Sequence, residues 1–143
     1  MVKINPYINL NGNTEEAFNF YKSVFGGEFP MVMRYKDTPE ADKVQEADRD
    51  KIMHIALPIG KNNMLMGTDA LESMGQKLKQ GNNFHLTIST ETDEEADKIY
   101  NGLSEGGQKY LPMHKTFWGA YFGMLTDKFG INWMVSHDEN NPG

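Results

Sequence analysis

Few side chains in this sequence can do chemistry. It has four histidines and no cysteine, so disulfides, thiolate metal sites and cysteine nucleophiles are excluded. His85 lies in Phe84–Thr90 (FHLTIST), where Phe84, Leu86 and Ile88 share one face and His85, Thr87 and Ser89 the other, the two-residue period of a strand. His54 lies in a second apolar run, Ile52–Gly60 (IMHIALPIG), and Asp69 closes a third, Met64–Asp69 (MLMGTD). Two imidazoles and a carboxylate are the groups suited to moving a proton near neutral pH. A plainer role stands beside His85, that of a strand histidine satisfied by a hydroxyl or backbone group. Other catalytic signatures fail: no Gly-x-Ser-x-Gly elbow, no phosphate loop and no dinucleotide fingerprint occurs.

The elements that must position these groups are organised around Asn13–Gly27 (NTEEAFNFYKSVFGG). Asn13 followed by Glu16, three residues later, has the spacing of a capping box. Ala17, Phe18, Tyr21, Val24 and Phe25 form one helical apolar stripe, and Gly26-Gly27 supplies a left-handed stop. The stretch recurs. Shifted by 79 positions, Glu15, Glu16, Ala17, Tyr21 and Gly27 fall on Glu94, Glu95, Ala96, Tyr100 and Gly106, and Val24 falls on Leu103. Thr92 and Glu95 repeat the cap. A fixed-offset match of this kind indicates a duplicated unit.

Around the two predicted helices the strands fall into matching order. Val2–Asn11 alternates, with Ile4, Ile8 and Leu10 on one side. Glu28–Lys36 and Ile52–Gly60 follow, and Lys61-Asn62-Asn63 turns into Met64–Asp69. After the second helix, Gln108–His114, Phe117–Thr126 and Ile131–His137 read as strands, with Asp127–Gly130 as a tight turn. Each half is therefore strand, helix, strand, strand, strand. Residues 1–143 read as a single domain built of module 1 (1–69), a linker (70–82) and module 2 (83–137), with a polar tail from Asp138. The charged stretch Lys36–Lys51 reads as a solvated loop or as a lid over a pocket.

The net charge is −6 with no run of Lys and Arg, which speaks against nucleic acid and anionic membranes as partners. No apolar run reaches membrane length and no signal peptide is visible, so a cytoplasmic location is expected. Ten methionines suit core filling or an adaptable apolar pocket.

INPYINLNGNTEEAFNFYKSVFGGE at the start and FWGAYFGMLTDKFGINWMV near the end resemble the PhnB-like branch, labelled 3-demethylubiquinone-9 3-methyltransferase-like, of the vicinal oxygen chelate superfamily. That superfamily includes glyoxalase I, bleomycin-resistance proteins and extradiol dioxygenases. The most specific piece is the spacing of Trp118, Gly119, Phe122, Gly123, Asp127, Phe129, Gly130 and Trp133. The resemblance implies an α+β fold of paired βαβββ modules forming an incomplete barrel around a cavity, the glyoxalase/bleomycin resistance/dioxygenase fold, usually in a homodimer. A four-stranded ferredoxin-like fold is the other α+β candidate, but eight strands are counted.

The resemblance also implies where a divalent metal would be held by His, Gln and Glu. His85 matches the ligand position of the second module's first strand. The equivalent in the first module is Pro6 or Tyr7, and strand alternation favours Tyr7. The last-strand glutamate position is Met134, and the fourth-strand position falls at Leu65 or Met66. One matching ligand does not hold zinc, nickel, manganese or iron, so no cofactor is expected. A non-standard metal site recruiting His54 or His114 is the alternative.

Without a metal, the implied cavity would be lined by Tyr7, Asn9, Met66, His85, Thr87, Trp118, Tyr121 and Met134. That mixture suits a flat or partly aromatic small molecule. Phe122 and Trp133 read as core. Three functions follow as expectations: a small-molecule-binding protein akin to bleomycin-resistance proteins; a metal-dependent lyase, isomerase or dioxygenase; or the methyltransferase of the family label. The third lacks a glycine-rich strand-to-helix loop for S-adenosylmethionine. Whether any reaction is catalysed stays open at the level of sequence.

Overall fold

The structure, a computed structural model, describes residues 2–140. The chain divides into two compact units, one running to Lys79 and the other beginning at Gln80. The last part of the expected polar tail, 141–143, lies outside the described residues.

In the first unit, β1 (Tyr7–Leu10), α1 (Thr14–Phe25), β2 (Met31–Arg34), β3 (Ile52–Ile59) and β4 (Asn63–Asp69) form a sheet of order β1-β4-β3-β2 with one helix on it. β1 runs parallel to β4 and the other pairs are antiparallel. The helix follows from its stripe: Ala17, Phe18 and Tyr21 are wholly buried, as are Leu57 and Leu65 of the sheet. The Phe18 ring lies where a side chain on Gly67 would stand, since a Cβ there would come within 2.6 Å of Phe18 Cε1. Glycine at 67 is what lets α1 settle onto β4.

The start of α1 differs from the sequence expectation. The Asn13 side chain makes no cap hydrogen bond. Asp69 Oδ1 takes that place, accepting from Gly12 N and Thr14 N at 3.0 Å each, while Oδ2 accepts from Ile52 N at 2.8 Å. β1 and β4 are paired through Leu10 and Asp69, so a buried carboxylate arrives at the helix end from 55 residues downstream. It meets both the orphan N–H groups and the positive end of the helix dipole.

The stretch Lys36–Lys51 is held in place. It forms three 3-10 turns, at Tyr35–Asp37, Ala41–Lys43 and Glu46–Asp48. Backbone bonds join Tyr35 N to Lys51 O and Lys36 N to Arg49 O. Val44 is buried, and Asp48 accepts from Ser73 Oγ at 2.7 Å and pairs with Lys51 at 2.7 Å.

The second unit repeats the order: β5 (Leu86–Ser89), α2 (Asp93–Ser104), β6 (Gln108–Lys115), β7 (Tyr121–Thr126) and β8 (Asn132–His137), arranged β5-β8-β7-β6 with β5 parallel to β8. Here the predicted cap is made: Thr92 Oγ1 accepts from Glu95 N at 3.0 Å, and Glu95 reaches back to Glu91 N. Ala96, Tyr100 and Leu103 bury against a face carrying Leu125, Trp133 and Val135. Neither four-stranded sheet closes on itself.

Several expected strands are shorter than read: β2 spans only Met31–Arg34 of the expected Glu28–Lys36, and β5 only Leu86–Ser89 of Phe84–Thr90. β1 begins at Tyr7, and Val2 and Ile4 stand more than 90% exposed. Ile4 has no layer to pack on. β7 begins at Tyr121, because Thr116 to Ala120 is a turn closed by Thr116 N to Ala120 O, with Gly119 at φ +95°. Phe117 projects from that turn, 98% exposed.

Candidate functional site: the open faces of two sheets

Each helix covers one face of its sheet and leaves the other open. Period-two alternation and the strand register decide which side chains share that open face. In the first unit one row runs Tyr7, Met66, Ala56, Met31 across the four strands, and the row beside it holds Asn9, Thr68, His54 and Met33. Tyr7 Oη and His54 Nδ1 are 3.1 Å apart, and their rings are 5.6 Å apart between centroids. This contact passes over β4, the strand between them. Tyr35 joins from the end of β2: its hydroxyl donates to Asp69 O at 2.8 Å and lies 3.5 Å from Thr68 Oγ1. Burial first, then the neighbouring Tyr35, pushes the Tyr7 phenol above its ordinary pKa, while the Thr68 hydroxyl pulls the other way. The phenol therefore stays protonated at neutral pH and serves as a donor. With Tyr7 donating to Nδ1, a neutral His54 carries its hydrogen on Nε2.

The second unit has its own rows. Thr87, Met134, Met124 and Leu111 form one; Ser89, Ser136, Phe122 and His114 form the next. Thr87 Oγ1 lies 3.7 Å from Met134 Sδ. His85, just before β5, hydrogen-bonds through Nε2 to the Tyr110 hydroxyl of β6. β5 and β6 are the two edges of this sheet, so the pair reaches across the whole face. A flat sheet would set those strands roughly 14 Å apart, three strand spacings. Burial raises the Tyr110 phenol pKa as well. Trp118 stands at the rim, with its ring 6.3 Å from Phe122 and edge-on to Phe117 at 5.0 Å.

The residues singled out from sequence thus separate by face. Tyr7, Asn9, Met66 and His54 meet on the open face of the first unit. His85, Thr87 and Met134 lie on that of the second, with Trp118 at its rim. Asp69 and Tyr121 lie on the helix-covered faces. Asp69 is 2% exposed and occupied by three backbone N–H groups. The Tyr121 hydroxyl donates to Asp97 of α2 at 2.6 Å, and that bond, ahead of burial, pushes its pKa up to about 12. Tyr35, Thr68 and Tyr110 are open-face groups that the sequence reading missed. Thr68 was legible, two residues from Met66. Tyr110 was not, because β6 is irregular between Gln108 and Leu111 and alternation fails there.

The fingerprint around Asp127 has a structural explanation. Asp127 is buried in the β7–β8 turn; Oδ1 accepts from Phe129 N at 2.8 Å and Ile131 N at 3.0 Å, and Oδ2 accepts from Trp133 Nε1 at 2.9 Å. Gly130 supplies the positive φ of +87°. These residues hold a turn and a core indole in place. They do not reach the open face.

A family profile described as 3-demethylubiquinone-9 3-methyltransferase matches residues 2–136. The chain belongs to that family. Protein PA1353 from Pseudomonas aeruginosa is 34% identical, with a TM-score of 0.86 over 96% of this chain and 98% of that one. A PhnB protein from Bacillus cereus, titled a putative 3-demethylubiquinone-9 3-methyltransferase, is 25% identical with a TM-score of 0.76 over 95% and 99%. A glyoxalase/bleomycin resistance protein/dioxygenase family enzyme from Burkholderia phytofirmans PsJN is 19% identical, with a TM-score of 0.61 over 92% and 95%, and shares the fold. The PhnB-like chain therefore has the glyoxalase/bleomycin resistance/dioxygenase fold of paired βαβββ units. Among the described residues, no helix is long and apolar enough to cross a membrane.

Proposed function

We propose that this PhnB-like chain is a small-molecule-binding protein that takes its ligand on the open sheet faces without the divalent metal of its superfamily. One observation carries the reading: of the positions where the superfamily would place metal donors, three hold Tyr7, Met66 opposite it, and Met134, while the fourth, His85, is hydrogen-bonded to the Tyr110 hydroxyl. Thioethers and a protonated phenol are poor donors for zinc, manganese or iron. Among the described residues no three His, Asp or Glu side chains come together. The same groups are good ligand contacts, since methionine adapts to apolar shapes and the phenols, hydroxyls and imidazoles orient polar atoms.

The methyl transfer in the family description draws no support from the helix starts. S-adenosylmethionine sites use a glycine-rich loop before a helix, whereas the α1 N-terminus is already filled by Asp69. An acid–base enzyme is the second reading, favoured by the Tyr7–His54 contact, in which an imidazole beside a donor phenol can take and return a proton. A cytoplasmic homodimer completes the proposal. The support for the dimer is the exposed pair Phe117 and Trp118, whose rings meet edge-on at 5.0 Å, apolar surface of the kind found at association sites.

The test is a thermal-shift screen of metabolites and aromatic antibiotics against the wild type and the Met66→Ala and Tyr7→Phe variants. A ligand that raises Tm in the wild type and loses most of that shift in either variant supports the reading. Hits that stabilise all three proteins equally count against the first unit's open face as the site, and hits that also survive Met134→Ala unchanged count against both. Light scattering at twice the monomer mass supports the dimer, and a monomer mass refutes it.

A further inference from the structure

Among the described residues, the strand rows of both open faces carry no Asp, Glu, Lys or Arg, although these make up 24% of the chain. In the first unit the rows hold only Tyr, Met, Ala, Asn, Thr and His. In the second they hold only Thr, Ser, Met, Leu, Phe and His.

The charged side chains nearest in the strands are turned away. Arg34 reaches Glu15 of α1 at 2.6 Å and Lys115 reaches Asp93 of α2 at 3.0 Å, while Lys109 keeps its charge but is turned to the helix side, where it bonds the Asn101 amide oxygen of α2 at 3.0 Å. Asp69 is spent on the start of α1. Lys36, next to Tyr35 in the chain, is likewise paired with Asp50, and Lys51, whose carbonyl accepts from Tyr35 N, with Asp48. Two duplicated sheets, diverged in nearly every open-face residue, have arrived at the same electrostatic character.

We infer that the ligand of these faces is an uncharged molecule with an apolar body and hydrogen-bonding oxygen or nitrogen atoms, and that phosphonates, carboxylates and nucleotides are rejected. This deepens the small-molecule reading and rests on it. An anion laid on such a face gives up hydration and finds no Lys or Arg to replace it, which is costly. A neutral amide, phenol or carbonyl loses far less and finds Tyr7, Thr68, Thr87 and the imidazoles as partners. Thioethers on both faces accept its apolar body.

The experiment uses carbon-13 methyl-labelled methionine in the full chain and follows the methyl resonances during titration with three isosteric probes: naphthamide, naphthoate and naphthylmethylammonium. The expected result is saturable shifts at Met31, Met33, Met66 or Met134 with naphthamide, and binding of the charged probes ~tenfold or more weaker. The Met66→Lys variant is then expected to gain naphthoate binding at the first face. Naphthoate binding as tight as naphthamide at those methionines overturns the inference and leaves the small-molecule reading standing. The absence of any shift at those methionines with all three probes, into the millimolar range, overturns both.

Discussion

Two carboxylates away from the open faces, Asp127 and Asp93, are held by structural partners. Asp127 was part of the most specific motif in the sequence, and the structure spends it on two backbone N–H groups and the Trp133 indole. Asp127→Ala is therefore expected to leave ligand binding intact in the fraction that folds and to cost about 3 kcal/mol in urea denaturation, the scale of several buried donors left unmade. Asp93 is the other. Its carboxylate binds His137 at 2.8 Å and Lys115 at 3.0 Å, and these partners, His137 first, hold its pKa below the usual carboxylate value. A depressed carboxylate contributes stability above its unfolded pKa, about 3.9, and loses it as pH falls through the lower folded value. Wild-type stability should fall in that acid window, and Asp93→Asn should flatten the fall. Identical acid limbs for both proteins contradict the assignment.

At the scale of elements, the duplication is legible because each helix carries its own stripe and glycine stop. α1 and α2 have the same length at an offset of 79, with Ala17 and Ala96 both wholly buried. The caps show where local reading ends. Thr92 caps α2 from within its own segment, as the spacing predicts, while α1 is capped by Asp69, which the residues around Asn13 could not reveal. Thr92→Ala is accordingly expected to cost about 1 kcal/mol, and Asn13→Ala to change stability by less than ~0.5 kcal/mol. Equal losses in thermal or chemical denaturation contradict the distinction. The face of each strand residue was legible where alternation is regular, as in β1, β4 and β8. It was lost where the ladder shifts in β6, which is why Tyr110 was missed. The stretch Lys36–Lys51 was read as solvated from its charge; its anchors, Val44 and the Asp48–Ser73 contact, are single residues without a periodic signal.

For the whole molecule, the order of elements and the family could be read from the sequence, whereas the surface that would bind a ligand needed the register. A βαβββ unit is specified by hydrophobic period, caps and turns, all local, and the fold follows. A binding face is specified by which strands become neighbours, and β1 meets β4 across more than 50 residues of chain. Register is what places Met66 beside Tyr7 and Met134 on the face that His85 and Thr87 share, the replacement of donors on which the functional reading turns. The measurement that tests it most directly is elemental analysis of protein purified without chelators, joined to calorimetric binding of a screened ligand before and after chelator treatment. The account predicts well under one divalent ion per chain and an unchanged affinity after treatment. A stoichiometric ion whose removal abolishes binding, and whose return restores it, would contradict it.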